Sequence, residues 1–235
     1  MAVYKIADIN FFIEPKYEYT VNLLKDYLCD EVHDEIIRVS DEEILFENKD
    51  SKQGFDESYL ESLAIYRKIA EKIISYDAVL FHCSALSLNG KAYLFTAPSG
   101  TGKSTHARLW REVFGDKVTM INDDKPILKF EENKLTVYGT PYDGKHLLST
   151  NTSSEVRAIF ILERAEENSA VRLKFLTAYP TLISQTYMPI DEDQIKKTLE
   201  LLERMKDIPI FELRCNISHD AVNIAYEAVN ENQKT

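Results

Sequence analysis

Apolar residues recur at helical spacing in several stretches of this chain. Between 57 and 74, Leu60, Leu63, Ala64, Ile69 and Ile73 are among those that fall on one helical face. The same periodicity, with the residues that flank it, predicts further helices at 17–29, 105–114, 178–187, 192–206 and 219–230. Helices are thus predicted along the whole length of the chain.

Runs rich in β-branched and aromatic residues lie between these helices and predict strands. The clearest pair flanks Asn89-Gly90, a strong hairpin signal. Two more hairpins are predicted, 127–130 with 135–138 and 156–162 with 171–175. Single strands are predicted at 4–12, 35–39, 43–47, 117–121 and 209–214. So many antiparallel pairs among helices predict an α/β fold with a mixed, largely antiparallel sheet.

A polar run at 48–54 is the expected domain boundary. It divides a small N-terminal α+β module, residues 1–54, from a larger core, residues 55–235.

The most informative motif lies between the strand 92–96 and the helix 105–114. Its residues are those of a phosphate-binding P-loop, or Walker A motif, with Ala97 in place of the first glycine: Ser99, Gly100, Thr101, Gly102, Lys103, Ser104 and Thr105. The glycines let backbone N–H groups turn toward phosphate oxygens, and the following helix directs its positive end at the same anion. Lys103 supplies a charge for the outer phosphates, and the hydroxyl of Ser104 can hold Mg²⁺. The sequence therefore predicts binding of a nucleoside triphosphate.

Two adjacent acids, Asp123 and Asp124, follow a hydrophobic strand about 20 residues beyond Lys103. Such a pair can divide the work of phosphoryl transfer. One carboxylate can fix the metal, and the other can accept the proton of an attacking hydroxyl. The alternative is a solvated Asn-Asp-Asp turn at the end of a strand.

Two other residues are candidates with open alternatives. His82, predicted within the strand 78–88, is either a core histidine or part of the catalytic group. Lys145 follows a loop rich in glycine and proline, which either forms a surface turn or brings this lysine over the transferring phosphoryl group. The other histidines show no metal-ligand spacing and are expected to be structural or exposed.

Charge and cysteine usage exclude several classes of partner. The formal net charge is −11 and no basic tract compensates it, which argues against nucleic acid or an anionic membrane as a partner. No apolar stretch approaches the length of a membrane span or a signal peptide. The three cysteines are isolated in sequence, which favours a reduced, cytoplasmic setting.

The order of His82, the loop Ser99–Ser104 and the pair Asp123-Asp124 resembles the HPr kinase/phosphorylase and phosphoenolpyruvate carboxykinase superfamily of P-loop kinases. The resemblance spans roughly 78–175. It implies that Lys103 and Ser104 serve the phosphates and Mg²⁺, that Asp124 is the proton acceptor, and that His82 joins the catalytic group. It also allows a homo-oligomer.

The chain departs from HPr kinases where Thr136 replaces a metal-binding glutamate, and residues 1–75 do not resemble their N-terminal domain. The loop from Gly139 to Lys145 is instead similar to that of small kinases linked to modified-peptide gene clusters, including those that phosphorylate lasso-peptide precursors.

The predicted function is ATP- and Mg²⁺-dependent transfer of the γ-phosphoryl group to a hydroxyl on a peptide or protein serine. Asp123 with Ser104 would organise the metal, and Lys103 with Lys145 would neutralise the phosphates. The alternatives are a kinase for a small hydroxylated metabolite and a nucleotide-sensing module that transfers no phosphate. A carboxykinase-like lyase is a third, without an evident cationic cluster for a dicarboxylate.

Overall fold

The computed structural model describes residues 2–49, 54–132, 134–144 and 146–231. The chain divides into two compact units, Met1–Tyr76 and Asp77–Thr235. The helix after the polar run belongs by its contacts to the first unit, whereas the expected boundary at residue 54 would assign it to the second.

The first unit is a four-stranded sheet in the order β3-β1-β2-β4 with three helices. Its strands are β1 (Ala2–Ile6), β2 (Ile9–Ile13), β3 (Leu28–Cys29) and β4 (Glu35–Ile37), and its helices are α1 (Glu18–Leu24), α2 (Asp41–Phe46) and α3 (Glu57–Lys72). The small α+β architecture follows the sequence pattern.

Two of the strands expected in this unit differ in the structure, and local features of the chain explain both differences. The strand expected at 4–12 is the hairpin β1–β2, because Ala7 and Asp8 adopt φ values of 53° and 56° and turn the chain. The strand expected at 43–47 is instead helix α2. Ser40 and Glu43 form a reciprocal capping box at its start, a helix signal that outweighs the apolar residues that follow.

The second unit contains one mixed sheet in the order β5-β9-β10-β11-β7-β6-β8, with β13 pairing β11 and β12. Two pairings are parallel, that of β11 with the P-loop strand β7 and that of β11 with β13. The remaining described pairings of this sheet are antiparallel. The strands are β5 (Ala78–Leu80), β6 (Ser84–Leu88), β7 (Lys91–Thr96), β8 (Val118–Asn122), β9 (Ile127–Phe130), β10 (Leu135–Tyr138), β11 (Ser153–Arg164), β12 (Ser169–Arg172) and β13 (Ile210–Cys215). The α/β fold with a mixed, largely antiparallel sheet is confirmed.

Two predicted strand arrangements in this unit were wrong. The run 78–88 is two strands, since residues 81–83 leave β5 and run beside 124–126 through the bonds Phe81 N–H to Pro126 O and Cys83 N–H to Asp124 O. His82 therefore lies between strands. The run 171–175 was expected to pair with 156–162, but β12 pairs with β13 because the parallel partner β13 occupies the edge of β11.

Helices cover both faces of this sheet. They are α4 (Lys103–Phe114), α5 (Phe175–Ser184), α6 (Glu192–Glu203) and α7 (His219–Glu231). On strand β7, Ala92 and Leu94 pack into the core that includes α5 and α6, whereas Tyr93 and Phe95 pack into the core that includes α4 and α7. This three-layer packing fixes the end of β7, where the P-loop begins.

No helix in the described part of the chain is long and apolar enough to cross a membrane. Cys29, Cys83 and Cys215 are free thiols.

Candidate active site

The P-loop joins the end of β7 to the start of α4. Gly100 and Gly102 have φ values of 79° and 126°, which residues with a Cβ rarely adopt. Helix α4 begins at Lys103, and its N-cap Gly102 offers no side chain to its first N–H groups. These groups therefore remain available to an anion, as the sequence predicts.

Arg164, at the end of β11, holds the outer side of this loop. Its guanidinium donates to the carbonyl oxygens of Thr101, at 2.9 Å, and of Gly100. The contact arises because β11 runs parallel to β7, so that both strands end at the same edge of the sheet. With these carbonyls fixed outward, the loop conformation is stabilised before any ligand binds.

Lys103 is largely buried, at 8% exposure, and its Nζ donates to the carbonyl oxygen of Ala97 at 2.9 Å. Ala97, which replaces the first glycine of the motif, thus contributes its backbone carbonyl as the acceptor for Lys103. Burial lowers the pKa of Lys103, whereas the negative charges of Asp124 and Asp123 act in the opposite direction. The lysine and both acids therefore lie within electrostatic reach of one another.

Asn122, the last residue of β8, positions the acid pair. Its buried side-chain oxygen accepts from the backbone N–H groups of Asp124, at 2.9 Å, and Lys125, at 2.7 Å. Its amide nitrogen donates to Thr140 and Tyr142 of the following loop. The Asn-Asp-Asp turn is thus held in one conformation from both sides.

Asp123 is buried, with 5% of its surface exposed. Its carboxylate accepts from the hydroxyl of Ser84 at 2.5 Å, and Ser104 lines the same cavity as Asp123. Burial nevertheless raises the pKa of Asp123, since the hydrogen bonds from Ser84 and Ser104 only partly offset the loss of solvation. The P-loop serine and the first acid therefore face the same cavity.

Asp124 is more open, and His82 lies beside it. The His82 Nε2 is 3.4 Å from an Asp124 carboxylate oxygen, and about a third of each side chain is exposed. The His82 Nδ1 is 2.9 Å from the side-chain oxygen of Gln185, whose backbone carbonyl also accepts from the His82 N–H at 2.7 Å. Gln185 thus orients the imidazole toward the second acid.

The loop that follows β10 is tied to the acid pair. Asp143 accepts from the backbone N–H groups of Asp123, at 3.0 Å, Gly144, at 2.7 Å, and Ser149, at 2.7 Å. Gly139 has no room for a Cβ, which would lie 1.9 Å from the Thr150 carbonyl oxygen. The segment is therefore an ordered part of the site rather than a solvated surface turn. Lys145 itself lies outside the described residues.

Two cavities flank the start of α4. One, of about 380 Å³, is bordered by Thr101, Gly102 and Thr105 and by apolar side chains of Leu109, Leu162 and Ile217. The other, of about 330 Å³, borders Ser104 and Asp123. A ligand held by the P-loop would have one cavity on each side.

His106 lines the larger cavity and is buried. Its Nε2 accepts from the indole N–H of Trp110 at 3.0 Å, and burial lowers the pKa of His106 to about 4. The imidazole is therefore neutral near pH 7, with its proton on Nδ1, for which the described residues offer no hydrogen-bond partner. Its ring meets Phe95 edge-on at 4.8 Å between centroids.

No cluster of three or more histidine, cysteine, aspartate or glutamate side chains able to hold a metal occurs among the described residues. Ser104 and Asp123 instead offer one hydroxyl and one carboxylate. Mg²⁺ in nucleotide sites is commonly held by one or two carboxylates together with substrate phosphates. A buried carboxylate with a raised pKa is also the kind of group that a cation would stabilise. These residues fit a metal whose shell the nucleotide completes.

The structure thus brings together His82, Asp123, Asp124 and the P-loop, and shows the partners that sequence patterns missed. Ser84 could have been found, because it lies two residues after His82 and precedes the P-loop strand. Arg164 follows a predicted strand but has no motif. Gln185 has no sequence signal, because it is more than 100 residues from His82 and meets it only through the fold.

No family model matches this chain, and no curated protein matches it. Solved structures do match, and one of them is the HPr(Ser) kinase/phosphatase from Coxiella burnetii. The likeness covers 66% of this chain and 90% of that chain, at 14% sequence identity and a TM-score of 0.35.

Proposed function

We propose that this protein transfers the γ-phosphoryl group of ATP to a hydroxyl, in a Mg²⁺-dependent reaction whose acceptor is a serine of a peptide or protein. The observation that carries the proposal is the proximity of the P-loop and the acid pair. Ser104 and Asp123 line the same cavity, where Ser104 lowers the pKa of Asp123, and Lys103 lies within electrostatic reach of Asp124. Phosphoryl transfer depends mainly on such positioning of charge around the phosphates.

The triphosphate would lie in the cradle from Ser99 to Thr105. Its oxygens would accept from the uncapped N–H groups at the start of α4, and Lys103 would exchange its bond with the Ala97 carbonyl for one with a phosphate. The apolar cavity at Leu109, Leu162 and Ile217 has room for the base and ribose.

Ser104 and Asp123 would hold Mg²⁺ through a hydroxyl oxygen and a carboxylate oxygen. Bound there, the metal would neutralise negative charge on the outer phosphates. Ser84 keeps the Asp123 carboxylate oriented through its 2.5 Å hydrogen bond.

Asp124 would accept the proton of the attacking hydroxyl. Its partial exposure leaves an acceptor room to approach, whereas Asp123 is buried at the serine. His82, which Gln185 orients, lies next to Asp124. It would stabilise the proton that Asp124 accepts. The two adjacent acids would therefore have different tasks because their surroundings differ. Lys145 is proposed as a further charge on the transferring group.

The test is a transfer assay with γ-labelled ATP, Mg²⁺, serine peptides and small hydroxylated metabolites. We expect Asp124→Asn to bind ATP normally and to lose transfer by roughly 10²–10⁴-fold, the scale of general-base catalysis. Asp116→Asn, an exposed acid just after α4, is the matched control and should have wild-type activity.

Full activity in Asp124→Asn would exclude that residue from the mechanism. Stoichiometric ATP binding without transfer or hydrolysis by the wild type would contradict the kinase and favour a nucleotide sensor.

A further inference from the structure

The cavity of about 330 Å³ beside Ser104 is lined by an unusual set of charges. Arg108 and Arg111 come from α4, His146 from the loop after β10, and Asp123 is the acid on its wall. The chain as a whole carries a net charge of −11. The wall of the cavity therefore carries two guanidinium groups and one carboxylate, whereas the chain as a whole is negatively charged.

The two arginines differ in what already satisfies them. Arg108 forms an i,i+4 ion pair with Glu112, which also lies 3.1 Å from His219. Arg111 has no such partner: its Nε is buried, and the N–H there finds no acceptor in the described part of the chain. A buried guanidinium nitrogen without a partner is unfavourable, and a bound anion would correct it.

Arg111 lines this cavity from the last turn of α4, whereas Ser104 and Thr105 of the phosphate cradle line it from the first turn. Arg111 is eight positions after Lys103 in α4, which corresponds to about 12 Å along the helix axis. Helical side chains lean toward the N-terminus, so the guanidinium points back toward the Ser104 end. An anion bound by Arg111 would therefore lie in the cavity that Ser104 and Asp123 also border.

We propose that this cavity binds an anionic group of the phosphoryl acceptor, a carboxylate or a phosphate located a few bonds from the hydroxyl that reacts. Arg111 is the specificity-determining residue, because its planar fork can pair two oxygens of such a group at once. The inference rests on the proposed function, since it places the acceptor's hydroxyl at the acid pair.

Matched acceptors test the inference by activity. N-acetylserine is compared with N-acetylserinamide, and glycerol 3-phosphate with glycerol, so that the two arms distinguish carboxylate from phosphate. We expect the anionic member of at least one pair to be preferred by about 10–100-fold in kcat/KM, the range of one charge-assisted pair. Arg111→Gln should remove the preference through KM and leave the neutral acceptor unaffected.

Control variants separate the charge from the fork. Arg111→Lys keeps the charge but not the planar fork and should recover only part of the preference. Arg172→Gln, at an exposed arginine of β12, should change nothing. Equal use of anionic and neutral acceptors by the wild type, or an unchanged preference in Arg111→Gln, would overturn the inference.

A second measurement does not depend on transfer. Calorimetry with ADP and Mg²⁺ present would measure binding of N-acetylserine and of inorganic phosphate. We expect at least one to bind the wild type and to bind Arg111→Gln at least tenfold more weakly, with ADP affinity unchanged. Absence of anion binding would overturn the inference even if the kinase reaction is found. Arg111-dependent anion binding without phosphoryl transfer would support this site while contradicting the proposed function.

Discussion

Each unit of the molecule buries a carboxylate, and the two are satisfied differently. Glu61 in the first unit is fully buried and accepts from the backbone N–H of Lys16, at 2.6 Å, from that of Tyr17, at 3.2 Å, and from the hydroxyl of Thr20, at 2.6 Å. Asp123 in the second unit accepts from the hydroxyl of Ser84, and burial raises its pKa. Hydrogen-bond donors of the chain stabilise both oxygens of the Glu61 carboxylate, whereas a bound cation would further stabilise the carboxylate of Asp123.

The reason for the difference lies in what each acid does for the backbone. Helix α1 has no side-chain cap of its own at Tyr17, and the Glu61 carboxylate from α3 caps it instead. Asp123 caps nothing. Its unit also buries Lys103 and His106, both with lowered pKa. Incompletely stabilised ionisable groups tend to collect at functional sites, and here they surround the P-loop.

The largest expected effect comes from Asp123→Asn. Transfer should fall by roughly 10²–10³-fold, because several kcal/mol of charge stabilisation at the phosphates would be lost. The nucleotide-free protein should unfold at a higher temperature, since the variant no longer buries a carboxylate that resists ionisation. The transfer assay with γ-labelled ATP measures the activity, and thermal unfolding with and without ATP and Mg²⁺ measures the stability. A fall in both stability and activity would show that the acid is structural.

Glu61→Ala should give the opposite pattern. It leaves two backbone donors at the start of α1 unsatisfied, and we expect a loss of about 3 kcal/mol in the free energy of unfolding. Specific activity below the unfolding transition should not change. Asp30→Ala, at an exposed acid of the same unit, is the control in urea denaturation. Loss of transfer activity in a folded Glu61→Ala variant would contradict the structural role assigned to Glu61.

His106 predicts a pH dependence confined to the second unit. Its folded pKa of about 4 lies below the ordinary value of 6.5, so protonation favours the unfolded chain. The stability that its neutral form provides is fully present above pH 6.5 and is lost as the pH falls. The loss should reach about 3 kcal/mol near pH 4.

The measurement compares urea denaturation of the wild type and His106→Gln between pH 7 and pH 4. Glutamine can still accept from the Trp110 indole, so the variant should fold. The wild type should lose more stability than the variant over this range. If the free energies of unfolding of the wild type and the variant change in parallel with pH, the imidazole is protonated in the folded protein without a loss of stability.

The smallest effect is expected from Ser84→Ala. The variant removes the hydroxyl that donates to Asp123, which should raise the pKa of that acid further and weaken transfer by an amount corresponding to about 1 kcal/mol. Titration of Mg²⁺ in the transfer assay would detect the effect as a higher requirement for metal. An unchanged requirement would indicate that Ser104 alone orients the carboxylate.

Several features of this protein could be predicted from local sequence. The α/β class and the mixed sheet followed from hairpin signals between helical stretches, and the P-loop turn followed from Gly100 and Gly102, whose backbone conformations few other residues adopt. Local patterns failed where two signals competed, as at α2, where the Ser40 capping box prevailed. They failed also at the pairing of β12, which long-range contacts decide.

Sequence alone therefore determined which residues are predicted to hold phosphate, because that prediction depends only on a short loop and the first turn of its own helix. Only the tertiary structure decided which groups surround that loop. Gln185 reaches His82 across more than 100 residues, Arg164 reaches the loop because two parallel strands end together, and Arg111 lines a cavity with no partner for its Nε within the described chain. Burial and hydrogen bonding between distant segments set the charge of a site, and neither is encoded in any single stretch of sequence.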